Sequence, residues 1–266
     1  MSDRLPPFSI DITPDSVCRW LVGRDGDLPA RMPSPGDPVP MSYLFFLRSQ
    51  PATATSIHTE LGRDPDRGLF GGVVYERARG AWVGDSLQAD AVVTERKSVE
   101  SPRGDMRLTT LVNRWNYGGD TAVTENVRMV DLPPGPPSPP AAGPDADPDL
   151  SAIGEPVAFT RKQIAWLTVE TGDLNPLHVD RTYAESRLFP DVVVPGTLIV
   201  PIVEKTLESE AGAPLRLLDV RFRAPTYPDE EIVVRALEDG DGTWRFEVSG
   251  GGQVRAFGKA AVATDV

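Results

Sequence analysis

Asp173 and His178 stand five residues apart in the stretch TGDLNPLH, Thr171 to His178, and His178 is one of two histidines in a chain of 266 residues. A carboxylate and an imidazole aimed at one water form a general acid/base pair, which takes a proton from the water and returns one to carbon. The break between them makes the spacing work. Pro176 has no amide proton, and its ring pushes Asn175 into extended backbone. A loop that leaves one helix at Asp173 and reaches His178 just before another can bring both side chains to one point. The same residues are also ordinary turn vocabulary, with Asp173 capping a turn and Asn175 closing an Asx turn. Taken alone, they leave both readings open.

The flanking elements are legible. Thr160 with Gln163 forms a capping box, and Ile164, Leu167 and Thr171 share a face of a helix expected from Arg161 to about Thr171, with Gly172 at its C-terminal turn. Asp180 caps a second helix expected over Arg181 to Leu188, which Pro190 ends. A third begins near Gly196 and runs to about Glu210. It is apolar on most sides, so it belongs inside something, although Pro201 can kink it or delay its start. LRLLDVRFRAP, EEIVVRALE, TWRFEVSG and QVRAFGKAAVAT then read as a meander of antiparallel strands wrapped on that helix, an α+β domain.

A proline-rich stretch from Leu132 to Pro148 divides the chain; it favours extended polyproline II and reads as a semi-rigid spacer. Ahead of it the same order recurs faintly. The apolar segment Val39 to Leu47 precedes strand-like runs, and Arg77-Ala78 before Gly84-Asp85 parallels Arg223-Ala224 before Pro228-Asp229 with a two-residue difference in spacing. This suggests a duplicated domain whose first copy has nothing like TGDLNPLH.

Composition narrows the function classes. An apolar fraction of 40% and a charged fraction of 25% are those of an ordinary globular protein. No run approaches the length of a membrane span. Met1 to Gly36 lacks the basic start and apolar block of a signal peptide, so a cytoplasmic location is expected. The net charge of -12 argues against nucleic acid as a partner, since phosphate binding draws on clustered Lys and Arg. Cys18 is alone, which rules out an internal disulfide, and with only His58 and His178 no metal site is expected. Cys18 reads as packing and His58 as loop or surface filling.

Thr171 to Ala184, TGDLNPLHVDRTYA, resembles the hydratase signature of the MaoC-like enzymes: Gly-Asp-x-Asn-Pro-Leu/Ile-His, then a small residue, here Ala184. VVVPGTLIV resembles that family's entry into its central helix, and LLDVRFRAPTYPDEEIVV its first strand pair, so the likeness covers about Ala158 to Val262. It implies a double hotdog fold, two antiparallel sheets each wrapped on a central helix. Residues 1–132 would be a degenerate copy, 133–150 a linker and 151–266 the copy with the motif. It implies hydration of a trans-2-enoyl thioester, or dehydration of a 3-hydroxyacyl thioester, without metal or other cofactor. Asp173 and His178 would hold the water, the Gly196 amide would donate to the thioester carbonyl, and Asn175 would organise the loop. The partner would be acyl-CoA or acyl carrier protein, and monomer and homodimer both remain open. Pro195 departs from the histidine many members have, and Glu170 stands at a usually aliphatic position, where it is expected to face solvent. Two other readings remain: the fold reassigned to cyclisation or another addition, and a non-catalytic acyl-thioester-binding subunit.

Overall fold

The computed structural model describes residues 3–49, 67–100, 105–132, 139, 142–173 and 175–263. The first half contributes β1 (Phe8–Asp11), α1 (Pro14–Asp25), β2 (Pro38–Val39), α2 (Met41–Ser49), β3 (Gly68–Arg77), β4 (Ala81–Trp82), β5 (Ser86–Val99), β6 (Met106–Tyr117) and β7 (Asp120–Asp131). The second contributes β8 (Ser151–Val157), α3 (Arg161–Thr171), a 3-10 turn (Pro176–His178), α4 (Arg181–Ser186), α5 (Gly196–Ala211), β9 (Leu215–Phe222), β10 (Ile232–Gly240), β11 (Thr243–Gly250) and β12 (Gln253–Val262).

Ten strands form one antiparallel sheet in the order β1-β5-β6-β7-β3-β9-β12-β11-β10-β8, with β2 and β4 paired separately. Read outward from its middle, the sheet is the same arrangement twice, because the long strands of each half occupy corresponding places. The halves join along β3 and β9, where Val73 faces Val220 and Tyr75 faces Leu218. Gly72 sits in this seam at φ +151°, and a Cβ there would lie 2.4 Å from the Val220 carbonyl oxygen, so only glycine lets the strands meet.

The helices repeat as well. α1 and α3 each start on a threonine capping box, Thr13 with Ser16 and Thr160 with Gln163, and each ends on a left-handed glycine, Gly26 and Gly172. α1 packs on α3, and α2 on α5. Both central helices are apolar on most sides: Tyr43, Leu44 and Leu47 of α2 and Val203 and Leu207 of α5 are fully buried in one core that runs through both halves. Pro201 is accommodated within α5, which starts at Gly196 without delay.

Three expectations change in detail. α4 ends at Ser186, short of Leu188, because the Arg187 amide closes the last turn and Leu188 takes a left-handed conformation at φ +64°. The repeat aligns one residue away from where the sequence suggested. Two successive amides, of Ala78 and Arg79, bond to the Ala122 carbonyl, and those of Arg223 and Ala224 bond to the Arg255 carbonyl in the same way. Asp85 and Glu230 then accept the Trp82 and Tyr227 amides in equivalent turns, so the spacing difference vanishes. Of the proline-rich stretch, Pro144 to Leu150 lie against the second half: Val254 N–H donates to the Pro144 carbonyl, and Asp145 bridges to Gln253. Most of its earlier part, and His58, lie outside the described residues.

Candidate active site

The loop after α3 is held by its own side chains. Gly172 turns the chain out of the helix, and the Asp173 amide still bonds back to the Thr168 carbonyl. Asp173 Oδ1 accepts the Asn175 amide at 3.0 Å, and Asn175 Oδ1 accepts the Leu177 amide at 3.0 Å, which starts the 3-10 turn. The turn reading of these residues is therefore realised. It uses only one oxygen of Asp173. The other, Oδ2, faces His178 Nε2 at 3.6 Å.

His178 Nδ1 lies 2.7 Å from the Val193 carbonyl oxygen. A carbonyl only accepts, so Nδ1 bears the proton and the neutral ring keeps its lone pair on Nε2. Nε2 and a carboxylate oxygen are then both acceptors. At 3.6 Å, too long for a hydrogen bond to each other, they are placed to accept the two protons of one water. The His178 side chain is 13% exposed and Asp173 33%, so the pair opens to solvent on the carboxylate side.

Val193 also fixes the third feature. Its amide donates to the Leu177 carbonyl at 3.0 Å, and three residues on, Gly196 opens α5. No side chain caps this helix. Its first amides form the positive end of the helix dipole, a donor set for an oxygen that gains negative charge. A Cβ on Gly196 would lie 2.5 Å from Phe222 Cζ and 2.8 Å from Phe70 Cδ1, which accounts for glycine at this point.

Asn175, 6% exposed, makes a contact that local spacing could not reveal: its Nδ2 donates to the Gly68 carbonyl of β3 at 3.0 Å, tying the loop to the first half of the chain. Glu170 does not face solvent as expected. It is 15% exposed, and Arg19 Nη1 of α1 donates to it at 2.9 Å, another tie between halves. Cys18 is buried with its Sγ 3.7 Å from Met32 Sδ.

A narrow cleft lies between α2 and α5 and is walled by Phe45, Phe46, Phe70, Leu167, Thr171 and Thr197. It measures about 290 Å³ counted to its open mouth, and its enclosed part has room for about one water-sized group. Thr171 adjoins the loop, Thr197 follows Gly196, and Phe70 packs on Gly196, so the cleft starts at the site and runs between the halves. Among the described residues, no group of three or more His, Cys, Asp or Glu side chains is arranged to hold a metal ion. No helix there is long and apolar enough to cross a membrane.

The first half holds a partial match to the motif. After the left-handed Gly26 come Asp27, Leu28 and Pro29, which parallel Gly172-Asp173-Leu174-Asn175-Pro176 without the asparagine, and Arg31 stands two residues after the proline where the second half has His178. The αL glycine after α1 is the signal that marks it. Val39-Pro40-Met41 likewise mirrors Val194-Pro195-Gly196 at the start of the central helix. Here the first amides are already occupied: Met41 N–H donates to Glu204 Oε1 at 2.7 Å and Ser42 N–H to Glu204 Oε2 at 3.0 Å. Glu204 comes from α5 and is fully buried.

The arrangement is a hotdog fold. A solved protein of Mycobacterium tuberculosis with a double hotdog fold superposes with a TM-score of 0.59 at 14% identity, over 97% of this chain and 95% of that one. HtdX of the same organism superposes with a TM-score of 0.74 at 20% identity, over 98% of this chain and 100% of its own. At the level of sequence, residues 147–257 match the family described as MaoC like domain. The peroxisomal hydratase-dehydrogenase-epimerase of Saccharomyces cerevisiae is 36% identical over 81 residues, which are 30% of this chain and 9% of the yeast protein.

Proposed function

We propose that the protein is a hydro-lyase acting on acyl thioesters, adding water to a trans-2-enoyl thioester or removing it from the 3-hydroxyacyl thioester. The observation that supports it most is the facing of Asp173 Oδ2 and His178 Nε2 at 3.6 Å, with the other imidazole nitrogen engaged by the Val193 carbonyl. In the hydration direction the pair accepts hydrogen bonds from one water. The water oxygen bonds to C3 as the pair takes one of its protons, and the C2–C3 π electrons move onto the thioester oxygen. The Gly196 amide, at the positive end of α5, stabilises that enolate. A proton from the pair then reaches C2, so H and OH have been added. Dehydration is the reverse path.

In this reading residues 151–266 are the working copy, 133–150 the connection, and 1–132 a copy without catalysis. Two features of the first half support the division: its partial match to the loop lacks both asparagine and histidine, and the helix end that would hold the enolate already binds the Glu204 carboxylate. The thioester handle is CoA or carrier-protein phosphopantetheine, and its acyl group enters the cleft between α2 and α5.

The test is loss of enoyl absorbance with trans-2-enoyl-CoAs of several lengths. Asp173→Asn and His178→Ala should each lower kcat by about 10²–10⁴-fold while the circular dichroism spectrum stays that of the wild type. Unchanged turnover in both variants rules the reading out.

A further inference from the structure

Besides Thr171 and Thr197, two more polar side chains, Ser42 and Tyr75, line the cleft. Ser42 is 4% exposed, and its Oγ has no hydrogen-bond partner among the described residues, although its own amide is held by Glu204. Tyr75 is 1% exposed and donates its hydroxyl to Glu125 Oε1 at 3.1 Å; Glu125, fully buried, also accepts from Asn113 Nδ2 at 2.6 Å. Burial, with the Glu125 and Glu204 charges behind it, holds the Tyr75 hydroxyl well above its usual pKa, so it keeps its proton and, while donating to Glu125, still has a lone pair with which to accept. A buried hydroxyl left unpaired is a cost that native structures avoid unless a ligand or water meets it.

Carboxylates outnumber guanidiniums in the surrounding protein. Arg48, stacked over Phe45 and buried, and Arg77 stand against Glu125, Glu204 and Glu208. A further anion would add to that excess, whereas a neutral hydrogen-bonding group would not. The enclosed part of the cleft admits about one water-sized group.

We propose that the preferred acyl group is short and carries an uncharged hydroxyl, which accepts a hydrogen bond from Ser42 Oγ and donates one to Tyr75 Oη. An alkyl end in the same place would leave Ser42 unpaired, and sites built to bond a substrate hydroxyl discriminate strongly against the analogue that lacks it. The proposal rests on the hydro-lyase reading for the thioester handle and not for the polar end of the cleft.

Binding of saturated pantetheine thioesters tests it without any reaction, and their handle is common to CoA and carrier protein. Butyryl, pentanoyl and hexanoyl thioesters are compared by calorimetry with their terminally hydroxylated and terminally carboxylated counterparts. At the best-fitting length the hydroxylated compound should bind wild type about tenfold more tightly than the alkyl one, and Ser42→Ala should bring that ratio to about one. Tyr75→Phe should lower it too, which keeps the test alive if the serine variant misfolds. An alkyl or carboxylated ligand bound as well or better at every length overturns the proposal, as does a ratio that survives both substitutions. A wild type that discriminates as expected yet hydrates no enoyl thioester keeps this inference and overturns the hydro-lyase reading. Folded protein that binds none of the thioesters overturns both.

Discussion

Asn175→Ala is the sharpest test of how the loop is positioned. The side chain holds Leu177 N–H through Oδ1 and the Gly68 carbonyl through Nδ2, and both Asn175 and Leu177 are buried. Alanine keeps the backbone and removes both bonds. A buried amide left without a partner costs about 1–3 kcal/mol. The Gly68 carbonyl adds a smaller amount, since it retains a second lone pair, so a loss of about 3 kcal/mol is expected. For a chain of this size each kcal/mol is about 2–4 °C of melting temperature, which gives a fall of about 6–12 °C.

The kinetic effect should exceed what stability alone would give. His178 is carried on the turn that Asn175 starts, so a freed turn moves Nε2 away from Asp173 Oδ2. A displacement of about 1 Å in such a pair can cost about 10²-fold. With the assay run well below the new melting temperature, kcat should fall by that order while KM changes little. Asn175→Asp is no rescue: it keeps the acceptor for Leu177 but sets a carboxylate oxygen against the Gly68 carbonyl. A variant that melts within about 2 °C of wild type with full kcat would refute the reasoning. A lowered melting temperature with unchanged kcat would reduce Asn175 to a structural tie.

Gly196→Ala places a Cβ at 2.5 Å from Phe222 Cζ and 2.8 Å from Phe70 Cδ1, so kcat/KM should fall about tenfold or more. Phe222→Leu should restore part of that loss, and a double variant no better than the single one would refute the steric account. Glu208 has its carboxyl pushed above the usual value by burial first and by Glu204 next. With its folded value raised, its contribution to stability is full below the ordinary carboxylate range and is lost as pH rises through the raised value. Glu208→Gln keeps an acceptor for Leu215 N–H, so the melting temperature of wild type minus variant should decline from about pH 4 to pH 7. A constant difference would refute it.

What the sequence made legible was local chemistry. The Asn-Pro break, the Thr160 capping box and the apolar run after Gly196 are each set by neighbours within a turn or two, and the helices start where those signals stand. What it hid was supplied from far away or by backbone. The Val193 and Gly68 carbonyls hold His178 and Asn175, and any residue type offers a carbonyl. Glu170 was expected in solvent because its partner, Arg19, lies on another helix in the other half. α1 went unread because Val17, Trp20 and Leu21 are too few and too mixed with charge to show a period, although Thr13 and Ser16 mark its cap. Glu204 carries a sequence signal of its own: a carboxylate in the buried stretch of an apolar helix must meet donors.

Under the proposed function, those donors bear on why only the second half would carry a site. Gly196 and Met41 open equivalent helices, and Glu204 lies eight residues into α5, where α2 has Ser49. The relation is therefore one-sided. α5 sends a carboxylate to the amides that open α2, and α2 has none to send back. A helix end that has met a buried carboxylate is neutralised and closed to an enolate, while the end at Gly196 has no side-chain cap. Under the proposed function, the single carboxylate of Glu204 thus does two things. It retires the first copy's oxyanion position, and it locks α2 against α5 so that the cleft between them keeps its shape. A histidine in the first half's loop would then add no catalysis, because the helix end beside it could not receive a thioester oxygen.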